Sequence, residues 1–234
     1  SASYADRRLD AGTVIQLFDF DHGNAIVPLW SYDESYYADV LTVYRDDDIA
    51  KIRYYYIGCR YDAYLPVSAI RRIINSLLSV PEGYSVMFIS HLGNAWDSDL
   101  GTDVINANVQ KLLAGAVAMN DGTSVTIQYT ESLSETYDFT NKARPFICVI
   151  SGHIHRDACV VYDGRFPVIS TTCDAGSLQN SHQALGRDAG TYKEQAFDIV
   201  QFDLDSKRIY MTRVGAGDDR VISFGEAGAG LITE

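Results

Sequence analysis

The chain has 234 residues, of which 47% are apolar, a formal net charge of −12 and a pI near 4.7. That length and apolar share exclude a disordered chain and allow one domain with a sizeable core. The acidic balance disfavours a nucleic-acid backbone or an anionic membrane as an electrostatically attracted partner, although a bound divalent cation would invert the charge locally.

In chain order, Ser1 to Thr13 is polar and lacks periodicity, so a loose lead-in is expected. Val14 to Phe20 reads as a strand. The run Asp19-Phe20-Asp21-His22-Gly23-Asn24 that follows offers oxygen and nitrogen donors, in a composition that is ordinary turn chemistry. Val40–Tyr44 and Ile52–Ile57 read as two strands joined by the acidic turn Arg45-Asp46-Asp47-Asp48, whose aspartates read as a solvated hairpin tip rather than a cation site. Val67 to Ser79 is helical, because Ile70, Ile73, Ile74, Leu77 and Leu78 recur at helical spacing between Pro66 and Pro81-Glu82-Gly83. The strand Tyr84–Ser90 then completes a βαβ-like unit. The loop Gly93–Ser98 carries Trp96, which reads either as a plain loop residue or as a stacking platform for a substrate.

A second helix is expected from a cap at Thr102 or Asp103 to Met119, stopped by Asn120-Asp121-Gly122. Ser124–Tyr129 alternates like a strand. Glu131–Lys142 is polar and reads as a loop, an insertion or helix-hairpin overhanging the strand ends that follow. Phe146–Ile150 is a buried strand. From Cys159 onward the chain reads as antiparallel strands: Cys159–Tyr162, a turn at Asp163-Gly164, Phe166–Thr171, Phe197–Leu204 and Arg208–Val214, the last two joined at Asp205-Ser206-Lys207. Gly176–Tyr192 reads as irregular, with His182 a solvent-facing loop residue, and the tail from Gly225 to Glu234 reads as loose. The four cysteines, Cys59, Cys148, Cys159 and Cys173, form no CxxC pair, and Cys148 and Cys159 read as small buried hydrophobes rather than a disulfide framework. The many tyrosines read as strand packing. No internal repeat or linker divides residues 1–234, so a single α/β domain is expected.

Two of the strands end in histidine. Ser90-His91 follows the apolar run from Tyr84, and Ser151-Gly152-His153-Ile154-His155 follows the run from Phe146. In an extended segment, residues at i and i+2 share a face, so His153 and His155 would point the same way. Neutral imidazole is the commonest side-chain metal ligand. Both stretches therefore read as strands delivering ligands to the carboxyl edge of a sheet, where open α/β sheets place their sites.

These residues resemble the last two metal-binding motifs of the calcineurin-like metallophosphoesterases. The string from Cys173-Asp174-Ala175 through Gly190-Thr191 and Glu194-Gln195-Ala196-Phe197-Asp198 to Arg213-Val214-Gly215-Ala216-Gly217-Asp218-Asp219-Arg220 is similar to a branch of that family found in bacteria and their phages. The resemblance runs from Ser31 to Arg220. It implies a four-layer α/β/β/α sandwich with mixed sheets and a hydrolase acting on phosphomonoesters or phosphodiesters. It further implies two divalent ions (manganese, iron or zinc), with His91 and His153 on one and His155 on the other. The family's earlier motifs, Asp-x-His, Gly-Asp-x-x-Asp and Gly-Asn-His-Asp/Glu, do not occur here in recognisable form. The chain thus resembles the carboxyl-terminal two-thirds of such a domain, lacking its opening strands and with no counterpart for the family's general acid. An upstream segment, a partner chain or the Asp19–Asn24 loop would have to supply the remaining ligands. The alternative is a non-catalytic structural or binding module that keeps the fold, and a mononuclear hydrolase using Asp19 or Asp21 is a third reading. An exposed sheet edge implies homo-oligomerisation. The expected setting is the cytoplasm or a phage particle, because no signal peptide or transmembrane run is seen.

Overall fold

A computed structural model describes residues 27–31, 40–57, 65, 67–92, 107–152, 157–172, 188, 190–194, 196–225 and 230–232. The expected strands at Val14–Phe20, the Asp19–Asn24 turn, the Trp96 loop and the His182 loop lie outside them.

The first strands are β1 (Val27–Ser31), β2 (Val40–Asp47) and β3 (Ile52–Ile57), paired antiparallel in that order. Helix α1 (Val67–Leu77) then returns the chain so that β4 (Ser85–Leu92) lies parallel to β3. The βαβ reading of this stretch holds. Helix α2 (Ala107–Asp121) and a hairpin of β5 (Ser124–Thr130) and β6 (Leu133–Asp138) lead to β7 (Phe146–Gly152), which is parallel to β4. The hairpin of β8 (Ala158–Tyr162) and β9 (Phe166–Ser170) follows, turning at Asp163 and Gly164, both of positive φ, and β9 lies parallel to β7. Among the described residues this gives a seven-stranded mixed sheet in the order β1-β2-β3-β4-β7-β9-β8. A second, antiparallel sheet contains β10 (Ala196–Asp203), β11 (Arg208–Gly215), β12 (Arg220–Ser223) and β13 (Gly230–Ile232). The chain is a mixed α/β protein, as the sequence implies.

Alternation along the central strands divides the core into two. Tyr55, Val86 and Phe88 face the helices, where they pack with Ile70, Ile73 and Ile74 of α1 and Leu112, Leu113 and Ala116 of α2. Ile52, Met87 and Ile169 face the other way, onto Ile209, Met211, Ile222 and Phe224 of the second sheet. The order of layers is helices, seven-stranded sheet, four-stranded sheet. On the helix side an aromatic row crosses the large sheet from Tyr44 through Tyr55, Phe88, Phe146 and Phe166 to Tyr162, with successive ring centroids 5.6, 5.4, 4.7, 4.5 and 5.5 Å apart. Gly115 lets the helices approach, since a Cβ there would lie 3.1 Å from Ile74 Cγ1. Cys148 is fully buried among apolar neighbours and Cys159 half-buried, and burial pushes the Cys159 thiol up to about 11.

Three expectations are corrected. Glu131–Lys142 is not a loop: it contributes β6, whose Tyr137, with Ile127 and Tyr129 of β5, is buried against the helix layer. Tyr137 also donates its hydroxyl proton to Glu135, which pairs with Arg71 of α1. Polar residues on the outer face of this two-stranded ribbon hide the alternation beneath them. The tail is not uniformly loose, because Gly230–Ile232 pairs with β12. The Asp triplet is engaged by protein donors: Asp46 takes Arg53, Asp47 accepts the amides of Ile49 and Ala50 at 2.9 Å, and Asp48 accepts from Tyr84.

Arg53, only 3% exposed, holds the carboxyl end of α1. Its guanidinium bonds Asp46 at 2.5 and 2.7 Å and reaches Ser76 O at 3.2 Å, one of the carbonyls a helix end leaves unpaired. Burial works against its charge, but the bond to Asp46 and the neighbouring Tyr55 together outweigh that and raise its pKa.

Phe88 sits at the centre of the aromatic row and is fully buried. Phe88→Ala is expected to lower stability by about 3–5 kcal/mol, read as a lower urea midpoint with unchanged slope.

Candidate functional site

Three neighbouring parallel strands carry a serine at or near their carboxyl ends: Ser90 on β4, Ser151 on β7 and Ser170 on β9, each buried. Ser151 donates its hydroxyl proton to Ile169 O at 2.9 Å, and its own carbonyl accepts the Thr171 amide at 2.9 Å. This edge is therefore internally bonded and continuous as far as Gly152.

The register of β4 against β7 shifts twice. Val86 pairs with Phe146 and Phe88 with Val149, so Ile147 and Cys148 both oppose Met87. This is why two consecutive β7 residues face the second sheet, which simple alternation forbids. The second shift falls at the strand ends. Ile89 pairs with Ile150 and Leu92 with Gly152, so Ser90 and His91 together oppose Ser151. Bulges between parallel strands are rare, and bulges gather beside functional sites because they re-aim the local chain. The backbone of His91 is thereby placed one pair from Gly152, the residue that precedes His153. The His91 side chain and the whole of His153 and His155 lie outside the described residues.

Just beyond the histidine pair the chain is tied down. Asp157 accepts two hydrogen bonds from Arg213 Nη2, at 2.7 and 2.8 Å, and one from the Thr172 amide at 3.1 Å. Arg220 Nη2 lies 3.3 Å from the same carboxylate. Both arginines also meet Asp198: Arg213 Nε donates at 2.8 Å and Arg220 Nη2 at 2.7 Å. Arg213 Nη1 donates to Ala216 O at 2.8 Å, its amide to Asp219 at 2.7 Å, and Arg220 Nη1 to Ser170 O at 3.1 Å. The Arg213 and Asp198 side chains are 2% and 3% exposed, so this is a buried cluster of two cations and two anions. Burial works against the Arg213 charge, but Asp198 and Asp157 outweigh it and raise its pKa. Gly217, at φ +106°, passes so close that a Cβ would stand 2.2 Å from Arg213 Nη1. Arg220 Nε and Ser170 Oγ are buried without a hydrogen-bond partner among the described residues.

These four charged residues come from β10, β11, β12 and the start of the β8 hairpin, and reading the sequence assigned them no role. The signal was in plain sight: Asp198 and the run Arg213-Val214-Gly215-Ala216-Gly217-Asp218-Asp219-Arg220 belong to the string that carries the family resemblance.

Two tests bear on a metal here. Among the described residues no group of three or more His, Cys, Asp or Glu side chains could hold an ion. Asp157, two residues from His155, is committed to Arg213. The sequence offers three imidazoles, His91, His153 and His155, and three imidazoles suit one borderline ion such as zinc with an open position. No described carboxylate completes a two-metal set.

No protein-family model, curated protein or solved structure matches the chain. The chemistry of the site is read from its own residues.

Removing Asp198 leaves two largely buried guanidinium groups facing one carboxylate that is 26% exposed. Asp198→Ala is expected to cost about 3–5 kcal/mol in urea unfolding.

Proposed function

We propose that the chain is a metal-dependent phosphoesterase of the calcineurin-like type, with His91, His153 and His155 as its metal ligands. The observation that carries the reading is the register shift at the end of β4, which sets the backbone of His91 one pair from Gly152, the residue before His153 in sequence. The layers support it too, because helices, a mixed sheet and a second sheet correspond to three of the four layers of the family's α/β/β/α sandwich.

His91 and His153 hold the first ion, and His155 the second where carboxylates from elsewhere complete it. When bound, such an ion supplies Lewis-acid stabilisation to a phosphoryl oxygen. The protein itself supplies neutral donors at a strand edge and a closed, bonded backbone beneath them. In a chain of net charge −12, a phosphoester is otherwise repelled, so binding of substrate depends on the cation.

One observation favours a second reading, a non-catalytic module with the same fold. The carboxylate two positions after His155, Asp157, is taken by Arg213 and Arg220.

The test is elemental analysis after dialysis against zinc and manganese, on wild type and His153→Ala, followed by hydrolysis of p-nitrophenyl phosphate and its diester. About one ion per chain or more in wild type, lost in the variant, with metal-dependent turnover, is expected. Bound metal without turnover selects the non-catalytic module. Wild-type protein without metal overturns the metal site altogether.

A further inference from the structure

We infer that the outer face of the second sheet is a contact surface for a second copy of this chain, giving a weak two-fold dimer. The inference is independent of the metal-site reading, since it uses the side of β10 and β11 turned away from the large sheet.

Alternation separates the two faces of these strands. Val200 and Phe202 of β10, with Ile209 and Met211 of β11, pack toward the large sheet. Phe197 and Ile199 therefore point the other way, and so does Val214, the cross-strand partner of Phe197. The three are 49%, 57% and 40% exposed, and they adjoin one another. Single apolar residues scattered over a surface are ordinary, whereas a contiguous group marks an interaction site.

Charge points to the occupant. The chain carries −12, so two copies repel in most orientations. The outward positions of β10 and β11 bear one charge of each sign, Asp203 and Arg208, directly opposite each other. The face is therefore neutral within an acidic protein, and two copies meet there without bringing like charges together. It offers no field to attract a basic or an acidic partner. About a two-fold axis near Ile199 it is self-complementary, because apolar groups then meet apolar groups. Sheets packed face to face in this way lie about 10 Å apart with their side chains interleaved. Size sets the strength. Four strands about 4.8 Å apart, the longest of eight residues, present a face of roughly 400–500 Å². A stable interface buries about 800 Å² on each partner. The dimer is accordingly weak and is populated at high protein concentration.

The test is sedimentation velocity from about 10 μM to about 1 mM protein, the range of weak association. Wild type is expected to be monomeric at the low end and to shift to dimer at the high end. The dimer fraction is expected to rise between about 0.01 M and about 1 M sodium chloride, because salt screens the repulsion between copies and leaves apolar contact in place. Ile199→Glu and Ile199→Thr are each expected to raise the dissociation constant about tenfold or more, with circular dichroism checking the fold. Threonine is polar but favours strands, so Ile199→Thr decides the matter if Ile199→Glu does not fold. Ile49→Glu adds the same charge at a hairpin tip that is 98% exposed, and it is expected to dimerise like wild type. Wild type that stays monomeric, a dimer that survives both Ile199 variants, or an equal loss in Ile49→Glu overturns the inference. Association that weakens with salt overturns it too, since that marks ion pairing. So does association that runs on past the dimer, which a closed two-fold contact does not allow.

Discussion

The two-arginine, two-aspartate cluster is the interaction on which the rest of this structure turns. Apolar contact alone holds the second sheet against the first through Ile209, Met211, Ile222 and Phe224, and such contact is permissive about sliding. The cluster is not. Arg213 and Arg220 stand on adjacent strands of the second sheet, and their donors meet Asp157 and Ser170 O of the first. A shift of one residue would bury unpaired charge, which costs far more than a displaced methyl group. The sheets are therefore locked in one relation at the edge where β7 and β9 end.

The opposite face is fixed by different means. There the aromatic row spans six strands and the helices lie across it, so registration comes from shape. Arg53 and Tyr55 add polar ties, from β3 to the end of α1. The large sheet is thus pinned near one strand end by charge and across its breadth by packing. Two register shifts lie between β4 and β7. The first turns Ile147 and Cys148 together toward the second sheet; the second inserts a residue beside Ser151 where the strands finish.

Much of this was legible in the sequence, and the reasons are physical. Both helices follow from apolar spacing, and the βαβ unit, the Asp163-Gly164 turn and the β10–β11 hairpin follow from alternation and turn residues. Local signals of this kind need no partner to be read. What was not legible depends on partners distant in sequence. β6 looks polar because one face of its ribbon is solvent-facing, and β13 is too short to show a period. Bulges leave no mark in a single strand, since they exist only as a mismatch with a neighbour. The charged cluster was hidden for the same reason: Asp157 and Arg213 are 56 positions apart, and each alone reads as a surface charge. At the candidate site, the histidine motifs could be named from their spacing, whereas the backbone device that sets His91 beside Gly152 could not.

The allocation of carboxylates then constrains the chemistry of the edge. Asp157 and Asp198 lie by the ends of β7 and β9 and are bound to Arg213 and Arg220, while Asp46 and Asp48, at the opposite end of the sheet, are bound to Arg53 and Tyr84. An acidic chain would ordinarily offer hard cations such as magnesium or calcium several oxygen ligands at such a place. Here the described carboxylates by the ends of β7 and β9, Asp157 and Asp198, are spent on pairing with Arg213 and Arg220. Nitrogen donors rank zinc and its neighbours above magnesium. On the metal-site proposal, the same pairing leaves no described carboxylate for a hard ion and so favours a borderline transition metal held by nitrogen.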